Sequence, residues 1–101
     1  MNQYHLIANF MKALSHPTRI QILELLRSGE RCVCEIFPEI NVDQSSVSRH
    51  LAILKREGLL DSRKDGLKVI YWTADPFIYE IIDRSAEKVK HILQVKASII
   101  K

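Results

Sequence analysis

Residues 43–58 read Asp43-Gln44-Ser45-Ser46-Val47-Ser48-Arg49-His50-Leu51-Ala52-Ile53-Leu54-Lys55-Arg56-Glu57-Gly58, and this stretch decides the fold. Asp43 is a residue type that caps helix N-termini, Val47, Leu51 and Leu54 recur at helical spacing, and Gly58 is a stop. The pattern predicts a helix with a narrow inward stripe that turns Gln44, Ser45, Ser46, Arg49 and Ile53 outward. Directly after it, residues 59–64 and 67–73 flank Asp65-Gly66, a strong hairpin signal. The second arm, Leu67 to Thr73, is β-branched and aromatic, so a two-stranded ribbon is expected, with Tyr71 and Trp72 packing it onto the core.

Upstream, Tyr4, Ile7, Met11 and Leu14 fall at helical spacing, with Leu6 and Phe10 widening the stripe, which predicts a first helix over residues 3–14. In Ser15-His16-Pro17-Thr18, Ser15 reads as a cap and Pro17 as a first-turn residue. A largely buried second helix then carries Ile20, Ile22, Leu23, Leu25 and Leu26 to a stop near Gly29. Glu30 to Ile40, interrupted by Pro38, supports a third helix of about two turns that begins near the cysteines. Downstream of Asp75-Pro76, Ile78, Ile81, Ile82, Val89, Ile92, Leu93, Val95 and Ile99 predict a long last helix. The fold class is therefore mainly α with a two-stranded β-hairpin wing: a winged helix-turn-helix with an extra helix at each end. Those end helices are more apolar than a core of this size needs, so a homodimer paired through them is expected.

At 101 residues the chain suits one domain spanning residues 1–101, and 47% hydrophobic with 27% charged residues excludes a disordered class. No apolar run approaches the roughly 20 residues of a membrane span, and the start MNQYHLIANF lacks a secretory pattern, so a cytoplasmic address without a membrane partner is expected. Fifteen Lys plus Arg against 12 Asp plus Glu give +3, a mild excess that decides little without clustering.

Clustering is what the helix and ribbon supply. A recognition helix puts its first turns into the major groove of double-stranded DNA, where short polar side chains reach base edges and the N-terminus faces phosphates. Gln44, Ser46 and Arg49 are the candidates for base readout, with Ser45, Ser48 and His50 on the same DNA-facing helix. Arg63, Lys64 and Lys68 beside the hairpin tip are candidates for phosphate or minor-groove contact, which positions rather than specifies. His16, beside Pro17, reads as a capping or packing residue.

The run Ala13-Leu14-Ser15-His16-Pro17-Thr18-Arg19, the box Glu30-Arg31-Cys32-Val33-Cys34-Glu35-Ile36, Ser48-Arg49-His50-Leu51 and Arg63-Lys64-Asp65-Gly66 together resemble the ArsR/SmtB family of transcriptional repressors, over roughly residues 6–75. The resemblance implies a homodimeric winged helix that sits on operator DNA and is released when an inducer binds.

Cys32 and Cys34 are two apart, a spacing that makes an intramolecular disulfide strained and a poor staple, so in a reducing compartment they read as thiols or ligands. A Cys-x-Cys pair is a soft donor set suited to As(III), Sb(III), Cd(II), Pb(II) or Zn(II). Positions two apart on a regular helix point about 200° from each other, so joint chelation requires a distorted first turn, and that distortion would shift the helix that reads DNA. Two further readings stay open: small apolar residues in a packed helix, and a thiol-oxidation or persulfide sensor. The resemblance implies arsenite or antimonite as inducer, or a soft divalent ion, with no obligatory cofactor. Arsenite sensors of this type often bring a third cysteine three residues after the second. Phe37 stands there, so a third ligand falls to His5, Glu35, water or an external thiol such as glutathione. The family's zinc site on the last helix has little support, because Ser85 and Lys96 stand where partners of Asp83 are needed and His91 is isolated.

An enzyme is disfavoured: the chain has no Cys-x-x-Cys, no Gly-rich phosphate loop and no nucleophilic triad. A protein-interaction or metal-trafficking module is the other rival. Its apolar contacts would respond weakly to salt, whereas duplex binding weakens steeply.

Overall fold

The structure is a computed structural model that describes residues 1–100. Its elements run α1 (Gln3–Leu14), α2 (Pro17–Leu26), β1 (Arg31–Cys32), α3 (Val33–Ile36), a 3-10 turn (Phe37–Glu39), α4 (Gln44–Arg56), β2 (Leu60–Asp65), β3 (Lys68–Thr73) and α5 (Phe77–Ile100). This is a winged helix-turn-helix, as the sequence predicts. Three local readings are corrected.

The first concerns the start of α2. Ser15 reads as the cap, but His16, read as a capping or packing residue, takes that place: its backbone is extended and its Nδ1 accepts from the Thr18 N–H at 3.1 Å. Ser15 instead closes α1, donating from both N–H and hydroxyl to the Lys12 carbonyl. Pro17 then needs no donor in the first turn.

The second concerns Glu30 to Ile40, read as one helix of two turns. Its first residues are a strand. Arg31 pairs with Tyr71 and Cys32 with Ile70, so the sheet has three strands in the order β1-β3-β2, rather than two. Pairing with a strand nearly forty residues downstream overrides the local preference for helix, leaving α3 only four residues before Pro38 tightens the chain.

The third is a one-residue shift at the hairpin tip. Asp65 pairs with Lys68, so the two-residue turn is Gly66-Leu67 rather than Asp65-Gly66. Gly66 takes φ +64°, which an L side chain adopts only with strain, and Leu67 is left fully exposed.

One contiguous buried cluster holds these elements together. Ile22, Leu23 and Leu26 of α2 meet Ile36, Val47, Leu51 and Leu54, with Leu59, Leu60 and Ile78 closing the base. Tyr71 packs against this cluster, whereas Trp72 is half-buried and lies beside Arg63. The first turns of α5 are pinned by Tyr79, whose hydroxyl donates to the Leu23 carbonyl at 2.7 Å. Arg27 adds a second pin, stacked 4.4 Å over the Tyr79 ring and paired with Asp83.

Beyond Asp83 the helix leaves the cluster, and Val89, Ile92, Leu93, Val95 and Ile99 are exposed. So are Tyr4, Leu6, Ile7 and Met11 of α1. The radius of gyration, 15.8 Å, exceeds the about 13 Å of a compact chain this long, because these helices project. Among the described residues no helix is long and apolar enough to cross a membrane.

Candidate nucleic-acid interface and cysteine site

α4 is defined at both ends by its own residues. At the start, Asp43 accepts from the Ser46 N–H at 2.8 Å and from the Ser45 and Ser46 hydroxyls at 2.5 and 3.0 Å. These bonds, led by the Ser45 hydroxyl, pull its carboxyl down to about 2, so it is ionised at neutral pH. At the end, Gly58 at φ +82° donates to the Lys55 carbonyl and Leu59 donates to the Leu54 carbonyl. That is the paired geometry of a Schellman stop, with Leu54 and Leu59 both buried beneath it. Val47, Leu51 and Leu54 are wholly buried, which fixes the helix's rotation about its axis.

The opposite face is exposed. Gln44, Ser45, Ser48 and Arg49 are open to solvent, and Ser46 is half-buried with its hydroxyl accepting from Arg49 at 3.2 Å. Short donors and acceptors at a helix N-terminus, backed by one cation, fit the edges and phosphates of a major groove.

His50 does not share that face. It is half-buried on the flank toward α2, where its Nδ1 accepts from Arg19 Nε at 3.1 Å and its ring lies 4.4 Å from that of His16. Desolvation, then the charges of His16, Arg19 and Arg49, hold its pKa below the usual histidine value. Arg19 also reaches the Lys12 and Ala13 carbonyls, so it ties the end of α1 to α4. Local spacing gives no sign of this role for Arg19, because its link to His50 joins residues 31 apart.

On the wing, Lys64 and Lys68 are exposed at the tip. Arg63 is already engaged: both terminal nitrogens donate to Glu30 at 2.8 Å, and the guanidinium lies 5.5 Å from the Trp72 ring centroid. The pairing lowers the Glu30 carboxyl below its ordinary range and raises Arg63.

The cysteine readings need correction in two respects. The sulfurs of Cys32 and Cys34 are joined as a disulfide, with Cα atoms 5.2 Å apart, where free thiols were expected. Nor does their meeting require a distorted helix. Cys32 lies outside α3 with extended dihedrals (φ −77°, ψ 161°) at the cap position, so its side chain turns over the first helical turn, where Cys34 sits. Glu35 completes the start of α3 by accepting from the Cys32 N–H at 3.1 Å. Cys32 is buried and Cys34 exposed. His5 is bound to Asn2 at the start of α1, and among the described residues no three His, Cys, Asp or Glu side chains converge as metal ligands. Asp83 on α5 is bound to Arg27.

Residues 16–62 match the family described as bacterial regulatory protein, arsR family. The chain is 41% identical over 83 residues to an uncharacterized HTH-type transcriptional regulator, MJ1325, of Methanocaldococcus jannaschii, covering 81% of this chain and 93% of that one. It is 33% identical over 75 residues to an arsenical resistance operon repressor of Staphylococcus xylosus, covering 74% of this chain and 72% of the repressor. Among solved structures, the homodimeric winged helix-turn-helix DNA-binding domain of Mb0332 from Mycobacterium bovis superposes with a TM-score of 0.77 at 28% identity. That match covers 90% of this chain and 84% of the domain.

Proposed function

The chain belongs to the ArsR family of bacterial regulatory proteins, which are DNA-binding transcription regulators and not enzymes, and from that premise we propose that it is a homodimeric repressor. It grips duplex operator DNA with two copies of α4 and of the wing, and lets go when a thiophilic metal or metalloid binds Cys32 and Cys34. The observation that carries the DNA reading is the two-faced α4, whose apolar residues are wholly buried while Gln44, Ser45, Ser48 and Arg49 stand in solvent. In this reading Gln44, Ser46 and Arg49 contact bases, Ser45 and Ser48 contact bases or phosphates, and Lys64, Lys68 and Arg63 contact phosphates. His50 supports α4 from behind. The exposed apolar residues of α1 and distal α5 support the homodimer, since apolar helix faces are normally covered, and the Mb0332 domain is itself a homodimer.

The sensing reading rests on the meeting of two sulfurs one residue before, and one residue after, the first residue of α3. Once reduced, the pair presents two soft donors at one point, a set that As(III), Sb(III) and soft divalent ions prefer. Glu35 meets the Cys32 N–H through Oε1 and His5 meets Asn2 through Nδ1, so each keeps a second donor atom, and a third ligand falls to Glu35, His5, water or an exogenous thiol. The Staphylococcus xylosus repressor, named for arsenical resistance, supports the same inducer class. The joined sulfurs favour a second reading as well, in which thiol oxidation of the same pair is the releasing event.

Fluorescence anisotropy on a labelled operator duplex tests all of this. Binding should weaken steeply with salt, and the reduced protein should dissociate on adding arsenite, Cd(II) or Zn(II), or on adding an oxidant if the second reading holds. The double substitution Cys32→Ser with Cys34→Ser should keep operator binding and lose the release. Full release of that variant would rule out the cysteine mechanism, and indifference to duplex DNA at low ionic strength would rule out the repressor.

A further inference from the structure

Cys32 belongs to the wing's sheet as well as to the start of α3. Its backbone pairs with Ile70 and that of Arg31 with Tyr71, so β1 forms an outer strand of the sheet whose other two strands make the wing. Immediately before β1, Glu30 reaches past the central strand β3 to Arg63 on β2, with two contacts of 2.8 Å. A clamp thus spans the width of the sheet, closing over Trp72 beside Arg63. The path from Cys32 to α4 is longer, running through α3, Pro38 and the loop 40–43.

Arg63 has a choice of anion. Paired bidentately with Glu30, its charge is neutralised and its donors are spent. Released, it is one more wing cation facing phosphates. In this structure the closed state of the cysteines and the captured state of Arg63 occur together.

We infer that Glu30 and β1 carry the state of the Cys32–Cys34 pair to the wing: joining the sulfurs, by a bridging ion or by a peroxide that takes two electrons and two protons from the thiols and leaves as two waters, pins β1 on β3 and sets Glu30 on Arg63, which withdraws a phosphate contact from DNA. Opening the pair leaves β1 held by only two residues of ladder, Glu30 lets go, and Arg63 joins Lys64 and Lys68. This rests on the sensing reading above and adds its route, through the wing rather than through α3 alone. Glu30 is a positioning residue, since it touches neither DNA nor inducer.

The test uses Glu30→Gln, an exposed change that keeps the side-chain shape and removes the competing charge. Operator affinity of the protein is measured reduced and after treatment with arsenite, Cd(II) or hydrogen peroxide. The wild-type release ratio should fall in the range of about 5- to 150-fold. In Glu30→Gln it should shrink by about 5-fold or more, because the treated protein keeps Arg63 for DNA. The slope of log affinity against log salt should drop by about 0.9 on treating wild type and stay constant in the variant. Lys64→Gln should weaken both states alike and leave the release ratio intact. Trp72, the sole tryptophan, gives a readout without DNA: its emission should change on treatment in wild type and not in Glu30→Gln.

If wild type is released but Glu30→Gln shows the same ratio and the same Trp72 change, the wing route is wrong while the sensor stands. If wild type binds DNA and no treatment releases it, the sensor reading itself falls, and the route with it.

Discussion

α4 and the segment Glu30–Ile36 sit on either side of one short turn, yet they are held in opposite ways. α4 carries its own boundaries, with Asp43 at one end and the Gly58-Leu59 stop at the other, and its rotation is set by three wholly buried residues. The segment has a local cap in Glu35 and a local bond between its cysteines, but its strand is set from outside, by backbone pairing with Ile70 and Tyr71 and by the grip of Arg63 on Glu30. The proposed function asks for a rigid reading element and a conditional sensing element, and this difference in support suits both.

The largest expected effect tests the rigidity of α4. Leu51→Ala empties a fully buried site and should cost about 2–5 kcal/mol in urea unfolding, a large share of the about 5–15 kcal/mol typical of a domain. Gly58→Ala should come next, at about 1–2 kcal/mol, from the φ of +82° alone, since no heavy atom lies within 4 Å of the added methyl. A loss under a few tenths of a kcal/mol would mean that the stop does not define the helix.

Asp43→Ala should lower the thermal midpoint and flatten its acid limb. The Asp43 carboxyl falls from 3.8 to about 2 on folding, so its contribution is whole above about pH 4 and disappears as pH drops toward 2. His50 works in a different window. Its pKa is lowered by folding, so the unfolded chain takes up the proton first, and stability is complete above the ordinary value of 6.5 and erodes as pH falls below it. His50→Asn, which keeps an acceptor for Arg19, should remove that slope from thermal melts taken between pH 5 and 7. An unchanged slope would assign the titration to another group. The smallest effect is on the other side of the comparison: under reducing conditions, where no disulfide is lost, Cys34→Ser at an exposed site should shift stability within about 0.5 kcal/mol, while removing the proposed response to inducer.

What could be read in advance follows the same division. The caps and stripe of α4, the hairpin and the long periodic helix α5 are written in residues within a few positions of one another, and these appear where their spacing predicts. β1 could not be read, because two residues carry no strand period and their partner lies on β3. The roles of Glu30 and Arg19 were hidden for the same reason, since each acts on a residue more than thirty positions away. His50 lies within the reading helix by spacing, but its placement on the α2 flank depends on Arg19 and His16 being there to receive it. The sulfurs meet because Cys32 stops being helical, a consequence of β1 and thus of tertiary pairing.

The anchoring of α5 at Tyr79 and Arg27, with all of its later turns unsupported, makes that helix a lever. From Asp83 to Ile99 it runs about 24 Å, so a tilt of about 5° at the fulcrum sweeps its tip by about 2 Å. In the proposed homodimer, joined along these arms, the small angle fixed by one tyrosine hydroxyl and one arginine would set how far apart the two copies of α4 stand, and therefore which half-site spacing on a duplex both could occupy at once.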